Sequence, residues 1–146
     1  MAVVLVQRVK GASVILESGE ERSTGKGLLV YVGFEREDTP EVIPKIARKV
    51  VNLRIFEDAV GKMNLSVKDV GGEILLIPNF TLAGDARKGN RPSFGGAKPP
   101  EEASGMFLAL FEELKGEVNA QRGEFGTYMR IISENDGPVN IVMNFR

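Results

Sequence analysis

The sequence predicts a mixed α/β fold with a largely antiparallel β-sheet core and two main helices on one side. The chain has 146 residues, which is the size of one ordinary domain. Several short aliphatic runs end at Gly or Pro and predict strands, and two longer segments repeat apolar residues at helical spacing. No repeat or linker divides the chain, so we expect residues 1–146 to form a single domain with a two-sheet or barrel-like core.

The first third of the chain predicts three strands. Val3–Val9 is rich in β-branched residues and is typical of a buried strand. Gly11 interrupts this pattern, so we expect Ser13–Leu16 to return as the hairpin partner of the first strand. After a polar turn at residues 18–20, Gly27–Phe34 forms another apolar run and predicts a central strand.

A helix is predicted after the third strand, and two start points remain open. Thr39 is a good N-cap and Pro40 suits the first helical position. Pro44 favours a later start, because a proline inside a helix removes a hydrogen bond at a cost of about 3 kcal/mol. The apolar stripe that supports this helix consists of Ile43, Ile46, Ala47 and Val50.

The remaining elements follow from the same two periodicities. Leu53–Phe56 and Glu73–Ile77 predict strands, and residues 83–100 are typical of a loop rich in Gly, Pro and cations. Glu101–Lys115 carries a long apolar stripe, and Gly116 ends this second helix. The last three predicted strands are Val118–Arg122, Thr127–Ser133 and Val139–Phe145, the last two flanking a turn at residues 135–138.

Composition excludes several kinds of chemistry. The chain contains no Cys and no His, so it has no thiol nucleophile, no zinc–thiolate site and no Ser-His-Asp triad. The 19 basic and 20 acidic side chains give a net charge of −1, which argues against a large positive electrostatic potential that would bind nucleic acid. Any catalysis must use hydroxyls, carboxylates, lysines, backbone amides or groups of the substrate.

The apolar segments are too short for a membrane protein. The N-terminal apolar run ends at Gln7, which is too soon for a signal peptide, and the run at Leu28–Val32 has only strand length. We therefore expect a cytoplasmic protein without membrane contacts.

The first candidate site lies where the strand Glu73–Ile77 runs into the long loop. Asn79, Phe80 and Thr81 follow this strand, and strand ends often present reactive groups. The Thr81 hydroxyl and the nearby backbone amides, as oxyanion donors, have the chemistry for acyl transfer. A local hydrogen bond from Thr81 to the backbone is the simpler interpretation and, from these residues alone, the favoured one.

Two further segments have both a functional and an ordinary interpretation. Arg87, Lys88 and Arg91 lie in a Gly/Pro loop that suits phosphate contacts, or they simply face water. Gly137-Pro138 is either an ordinary turn or a cis peptide bond. Phe125 and Met129 are typical core residues.

Taken together, the motifs resemble the D-aminoacyl-tRNA deacylase family, and the resemblance covers nearly the whole chain. The matching segments are Val6-Gln7-Arg8-Val9, Lys26-Gly27-Leu28, Asn52-Leu53-Arg54-Ile55-Phe56-Glu57-Asp58, Phe80-Thr81-Leu82, Lys88-Gly89-Asn90-Arg91-Pro92-Ser93-Phe94, Phe125-Gly126-Thr127-Tyr128-Met129 and Asn135-Asp136-Gly137-Pro138-Val139.

The resemblance implies a function and a set of site residues. It implies a homodimer in which Gly137-Pro138 is cis and enters the active site of the other subunit to reject L-amino acids. D-aminoacyl-tRNA and glycyl-tRNA are then the substrates, and no metal or organic cofactor is expected. The roles it implies are catalysis by Asn79, Phe80 and Thr81, substrate binding by Phe125, Met129, Gly137 and Pro138, and tRNA binding by Arg87, Lys88 and Arg91.

The resemblance leaves the mechanism open between two routes. Thr81 acts as the nucleophile, or the 2′-OH of the tRNA ribose assists attack by water; we favour the second, because no side chain is an obvious base for Thr81. The family usually reads Ser-Gln-x-Thr-Leu where this chain has Pro78 and Asn79, and Asn140 stands where Thr is common. These differences motivate one alternative, a non-catalytic homologue that binds tRNA or another nucleic acid.

Overall fold

A computed structural model describes all residues from Met1 to Arg146 and contains one large sheet, one small sheet and two α-helices. A 3-10 helix at Phe80–Ala83 follows β6. The elements are β1 (Ala2–Leu16), β2 (Glu21–Thr24), β3 (Gly27–Gly33), α1 (Val42–Asn52), β4 (Phe56–Glu57), β5 (Met63–Leu65), β6 (Glu73–Pro78), α2 (Pro100–Lys115), β7 (Ala120–Arg122) and β8 (Met129–Phe145).

The large sheet is mixed and is organised around β1. Strand β1 pairs antiparallel with β2 and β3 along one side and with β8 along the other. The β3–β6 and β6–β7 pairs are parallel. The far side of the sheet curls towards β2, where the Arg22 guanidinium donates to the carbonyl oxygen of Arg122 at 2.7 Å. This nearly closed, barrel-like sheet confirms the predicted fold class.

The core lies on both faces of the sheet. The larger cluster fills the space between one face and the two helices, with Phe107 and Ile46 fully buried at its centre. The opposite face carries a smaller cluster, which packs against Met129 at the start of β8. The smaller cluster consists of Val9, Ala12, Val14, Leu16, Leu29, Leu75 and Ile77.

Neither α-helix is long and apolar enough to cross a membrane.

Two predicted strand breaks are wrong. Val3–Val9 and Ser13–Leu16 belong to one strand, β1, and the hairpin partner of its second half is β2. The register of β1 against β8 shifts between Val9 and Gly11, so a bulge just before Gly11 bends the pairing without ending the strand. Likewise, the predicted strands Thr127–Ser133 and Val139–Phe145 correspond to one strand, β8, whose pairing with β1 stops at Asn135 and resumes at Asn140.

Helix α1 begins at Val42, between the two predicted starts. Thr39 and Pro40 form the preceding turn, in which their carbonyl oxygens accept from the N–H groups of Val42 and Ile43. Pro44 is the third helical residue. The first turn of a helix has no intrahelical partners for its N–H groups, so Pro44 removes no hydrogen bond.

Candidate active site

The end of β6 is held tightly against the end of β3. The Asn79 N–H donates to the Val32 carbonyl oxygen at 2.8 Å and continues the parallel pairing by one residue. A Cβ on Gly33 would lie 2.6 Å from the Asn79 carbonyl oxygen, which is too close for any side chain. Glycine at position 33 therefore permits the close approach that fixes the backbone at Asn79.

The Asn79 side chain organises the 3-10 helix that follows it. Its Oδ1 accepts a hydrogen bond from the Thr81 N–H at 3.2 Å and another from the Thr81 hydroxyl. An amide oxygen is too weak a base to remove the hydroxyl proton, so this contact orients Thr81 without activating it as a nucleophile. The predicted local hydrogen bond of Thr81 is present, to a side chain instead of the backbone.

The backbone at the start of the 3-10 helix offers one free donor. The N–H of Phe80 donates to no acceptor in the structure, whereas the N–H groups of Thr81 and Leu82 bond to Asn79. A free N–H beside an oriented hydroxyl is the arrangement expected of an oxyanion donor.

A cleft with a volume of about 640 Å³ opens beside this strand end. Its volume falls in the usual range for small-ligand sites. The structure brings four predicted site residues together here, while Thr81 stands just behind the lining, bonded to Asn79. These four residues are Asn79, Phe80, Phe125 and Met129.

The lining of the cleft is apolar and cationic. Phe80 and Phe94 meet edge to face, with ring centroids 5.3 Å apart, and Phe80 is 55% exposed. Arg36 and Lys98 also line the cleft, and no carboxylate does. Sequence reasoning missed both cations, because they lie far apart in the chain and outside any motif. They meet where residues 34–38, after β3, lie against residues 94–98.

The segment of the cleft wall that follows β7 is tied to the rest of the barrel by ion pairs. Arg22 on β2 donates to Glu20 at 2.8 Å, to Glu124 at 2.9 Å and to the Arg122 carbonyl oxygen at 2.7 Å. Arg122 in turn lies 3.4 Å from Glu124. Glu124 directly precedes Phe125, so this network positions the segment between β7 and β8 that lines the cleft.

The predicted tRNA-binding cations lie on a loop beside the strand end. Backbone bonds of 2.7 and 2.8 Å between Asp85 and Ser93 close this loop at its base. Arg87 is bonded by its guanidinium to Asp85 at 2.9 and 2.7 Å, so part of its charge is neutralised. Lys88 and Arg91 form no ion pair and are exposed.

The ion pair with Arg87 affects the ionisation of Asp85. Hydrogen bonds from the Arg87 side chain and N–H stabilise the charged carboxylate and lower the pKa of Asp85 to about 2. The loop therefore keeps its ion pair throughout the neutral and mildly acidic range.

Gly137-Pro138 is cis, as predicted, and lies in an exposed bulge of β8. Gln7 pairs with Asn140 and Val9 with Asn135, so residues 136–139 loop out opposite the single residue Arg8. The Arg8 guanidinium is buried and donates to the carbonyl oxygens of Ile55 at 2.8 Å and Asp136 at 3.1 Å. Arg8 thus ties the base of the bulge to the loop before β4.

The bulge lies away from the cleft of its own chain. Asn79 packs against Gly33, which is paired with Val3 of β1. Arg8, opposite the bulge, is five residues further along this strand, a separation of about 17 Å. Gly137 and Pro138 are accordingly absent from the cleft lining. The structure does not bring these two predicted site residues together with Thr81.

Comparisons with known proteins agree with the fold and show the family. The family model described as D-Tyr-tRNA(Tyr) deacylase matches residues 5–144. The D-aminoacyl-tRNA deacylase of Thermodesulfovibrio yellowstonii is 45% identical over 145 residues, which are 99% of this chain and 99% of the relative.

Two solved structures have nearly the same fold. One, titled c-Myc DNA Unwinding Element Binding Protein, has a TM-score of 0.90 and 39% identity, and the match covers 97% of each chain. The other is titled as a probable eukaryotic D-amino acid tRNA deacylase; its TM-score is 0.85 at 16% identity, over 98% of this chain and 99% of the other. At that identity the second match supports the fold alone.

The fold and the two family matches together define the class of protein, a hydrolase with a barrel-like sheet. The chain belongs to the D-aminoacyl-tRNA deacylase family, as the sequence motifs predicted.

Proposed function

We propose that this D-aminoacyl-tRNA deacylase hydrolyses the ester bond of D-aminoacyl-tRNA and of glycyl-tRNA to free tRNA and amino acid, and rejects L-aminoacyl-tRNA. One observation carries the mechanism: Phe80, whose N–H is free, lines the cleft next to the oriented hydroxyl of Thr81, and no carboxylate that could act as a base lines it. The protein thus supplies orientation and charge stabilisation, and the substrate supplies the polar group that assists water.

The proposed reaction proceeds by attack of water on the ester carbonyl. The 2′-OH of the terminal ribose orients the water, and the Phe80 N–H stabilises the negative charge that develops on the carbonyl oxygen. The bond between the carbonyl carbon and the 3′ oxygen breaks. That oxygen takes one proton of the water and leaves as the 3′-hydroxyl, the other proton is released when the amino-acid carboxyl ionises, and no covalent enzyme intermediate forms.

Two substitutions distinguish this route from nucleophilic attack by Thr81. A D-tyrosyl-tRNA ending in 2′-deoxyadenosine is expected to react about 10²–10⁴-fold more slowly, the usual contribution of a positioned proton-transfer group. Thr81→Val keeps the shape and removes the hydroxyl, and we expect less than about 10²-fold loss because only orientation is affected. A covalent acyl-enzyme trapped on Thr81, or complete inactivity of Thr81→Val with normal 2′-deoxy turnover, would contradict the proposal.

A second copy of the chain is proposed to complete the site. The exposed bulge at Gly137-Pro138 lies too far from its own Thr81 to act there, which supports a role for it in the cleft of a partner. Strand β8 is an unpaired edge, and on it Ile132 and Val142 are 53% and 64% exposed, a surface suited to self-association. In the proposed dimer, the bulge is a wall that excludes the L side chain.

The dimer is tested by a charge on this edge. We expect Ile132→Lys to give monomers in sedimentation equilibrium and to lose chirally selective deacylation. The matched control is Val60→Lys, because Val60 is 76% exposed in the turn between β4 and β5. A wild-type monomer with full selectivity would exclude a shared site.

Lys88 and Arg91 are proposed to hold phosphates of the acceptor end, with a smaller part for the paired Arg87. We expect Lys88→Glu to weaken tRNA binding and to reduce the slope of the logarithm of the binding constant against the logarithm of salt concentration by about one or more. Selectivity for D- over L-aminoacyl-tRNA should be unchanged. Lys62→Glu, on the turn between β4 and β5, is the control. Unchanged binding and salt slope for Lys88→Glu would mean that the loop faces water only.

The alternative of a non-catalytic nucleic-acid-binding homologue is not what the family membership supports. A similar structure titled as a DNA-unwinding-element-binding protein nevertheless makes DNA a useful competitor. Incubation of the purified protein with D- and L-tyrosyl-tRNA, with and without duplex DNA, measures both properties. We expect hydrolysis of the D-ester alone; binding without hydrolysis would favour the alternative.

A further inference from the structure

Arg36 lies on a rigid support at the edge of the cleft. Its N–H donates to the Gly96 carbonyl oxygen at 2.8 Å, and its own carbonyl oxygen accepts from the Lys98 ammonium at 3.2 Å. The neighbouring residue Glu35 pairs with Ala97. The backbone is therefore fixed on both sides, while the side chain remains exposed and lines the cleft.

The charge of Arg36 is uncompensated, unlike that of Lys98. Lys98 donates to the carbonyl oxygens of Arg36 and Asp38, and its ammonium lies 3.7 Å from Glu102. Arg36 forms no ion pair, and its guanidinium donates one hydrogen bond, to the Gly95 carbonyl oxygen at 3.0 Å. Since a guanidinium has five N–H donors, most of those of Arg36 are free to bind an anion.

The other lining residues indicate what kind of anion fits. Phe80, Phe94 and Phe125 offer aromatic surfaces for stacking a base, and the lining has no carboxylate to repel a phosphate. An aromatic surface beside a single free guanidinium suits a ligand that combines a flat base with one nearby phosphate. That ligand is a nucleotide.

We propose that Arg36 binds the phosphate that links the 3′-terminal adenosine of the aminoacyl-tRNA to the preceding nucleotide. This inference rests on the proposed function and deepens it, because it divides phosphate recognition between two places. Arg36 holds the phosphate nearest the ester and thereby positions the reacting nucleotide, whereas Lys88 and Arg91 hold phosphates further along the acceptor end.

The test uses two minimal substrates that differ by one phosphate. These are D-tyrosyl-adenosine, esterified on the ribose, and the same ester carrying a 5′-phosphate. For the wild-type protein we expect kcat/KM to be about tenfold higher with the phosphate, from one charge-assisted contact. Arg36→Met should abolish this ratio by lowering only the value for the phosphorylated substrate. Arg36→Lys should restore part of it.

Two controls separate the possible failures. Arg48→Met removes an exposed arginine on α1, outside this cleft, and should preserve the phosphate ratio. Lys88→Met should preserve it too, while weakening deacylation of full-length tRNA.

An equal effect of Arg36→Met on both substrates, or a wild-type ratio near one, would overturn the role of Arg36. Hydrolysis of neither substrate, nor of full-length D-tyrosyl-tRNA, by the wild-type protein would instead refute the proposed function itself.

Discussion

Replacement of the buried Arg8 is expected to loosen the bulge that carries Gly137-Pro138. The side chain is 9% exposed and donates to the carbonyl oxygen of Ile55, in the loop before β4, and to that of Asp136, in the bulge of β8. Arg8→Met keeps the unbranched aliphatic stem and removes the guanidinium. It leaves the Ile55 carbonyl without its partner and frees the segment 136–139.

The expected destabilisation follows from these contacts. A hydrogen bond from a charged donor contributes about 1.5–3 kcal/mol, and Arg8 makes two. The ion pair with Asp136 at 3.5 Å adds little, because that carboxylate is 36% exposed. With some burial regained by the methionine, we expect the free energy of unfolding to fall by about 2–4 kcal/mol.

The assay measures folding and selectivity on the same variant. Urea unfolding followed by circular dichroism gives the stability, and deacylation of D- and L-tyrosyl-tRNA below the transition gives the selectivity. Because the bulge is no longer held in place, we expect L-tyrosyl-tRNA hydrolysis to rise while D-tyrosyl-tRNA hydrolysis falls less than tenfold. Arg48→Met serves as the control, since its side chain is exposed.

Two outcomes would contradict the stabilising and positioning roles of Arg8. If Arg8→Met unfolds within about 0.5 kcal/mol of the wild type, the two hydrogen bonds do not stabilise the fold as argued. If it is destabilised but remains fully selective, Arg8 supports the core alone and does not position the bulge.

Three further changes test other contacts. Gly33→Ala should cost about 1–3 kcal/mol of stability and reduce kcat/KM up to about 10²-fold, because its Cβ would push the Asn79 backbone away; denaturation and steady-state kinetics measure both. Arg22→Met should raise KM more than it lowers kcat, since the segment between β7 and β8 loses its anchor, and the wild-type KM should itself rise with salt. Asp85 should titrate at about 2 by NMR and at a higher pH in Arg87→Ala, which loses the guanidinium but keeps the backbone N–H donor; the ion pair is lost as pH falls through about 2.

The spacing of apolar residues correctly predicted the fully buried strand β6 and the helix α2, which buries one face. Strand β6 and helix α2 were found within one residue, because a proline or glycine stands at their ends and their apolar spacing is regular. The long strands β1 and β8 were each divided in two. Their glycines and prolines occupy bulges, and only the partner strand shows that pairing resumes beyond them.

The candidate site was predicted in part. Asn79, Phe80 and Thr81 were singled out because they follow a buried strand and match a family motif, and the structure places Asn79 and Phe80 in the cleft lining with Thr81 bonded to Asn79. From the residues alone, Phe125 and Met129 were interpreted as core, since an apolar residue that lines a cleft has the same sequence signal as a buried one. Arg36 and Lys98 gave no signal at all.

The sequence by itself determined the family, the fold class and the exclusion of thiol and histidine chemistry, since these depend on composition, motif order and local periodicity. Only the tertiary structure decided which groups meet. It brought Arg36 beside the aromatic cleft and left the Phe80 N–H free. It also placed Gly137-Pro138 opposite Arg8, about 17 Å along β1 from Val3, whose partner Gly33 packs against Asn79. The physical reason is that these relations depend on pairing between strands distant in the chain, which no local pattern encodes.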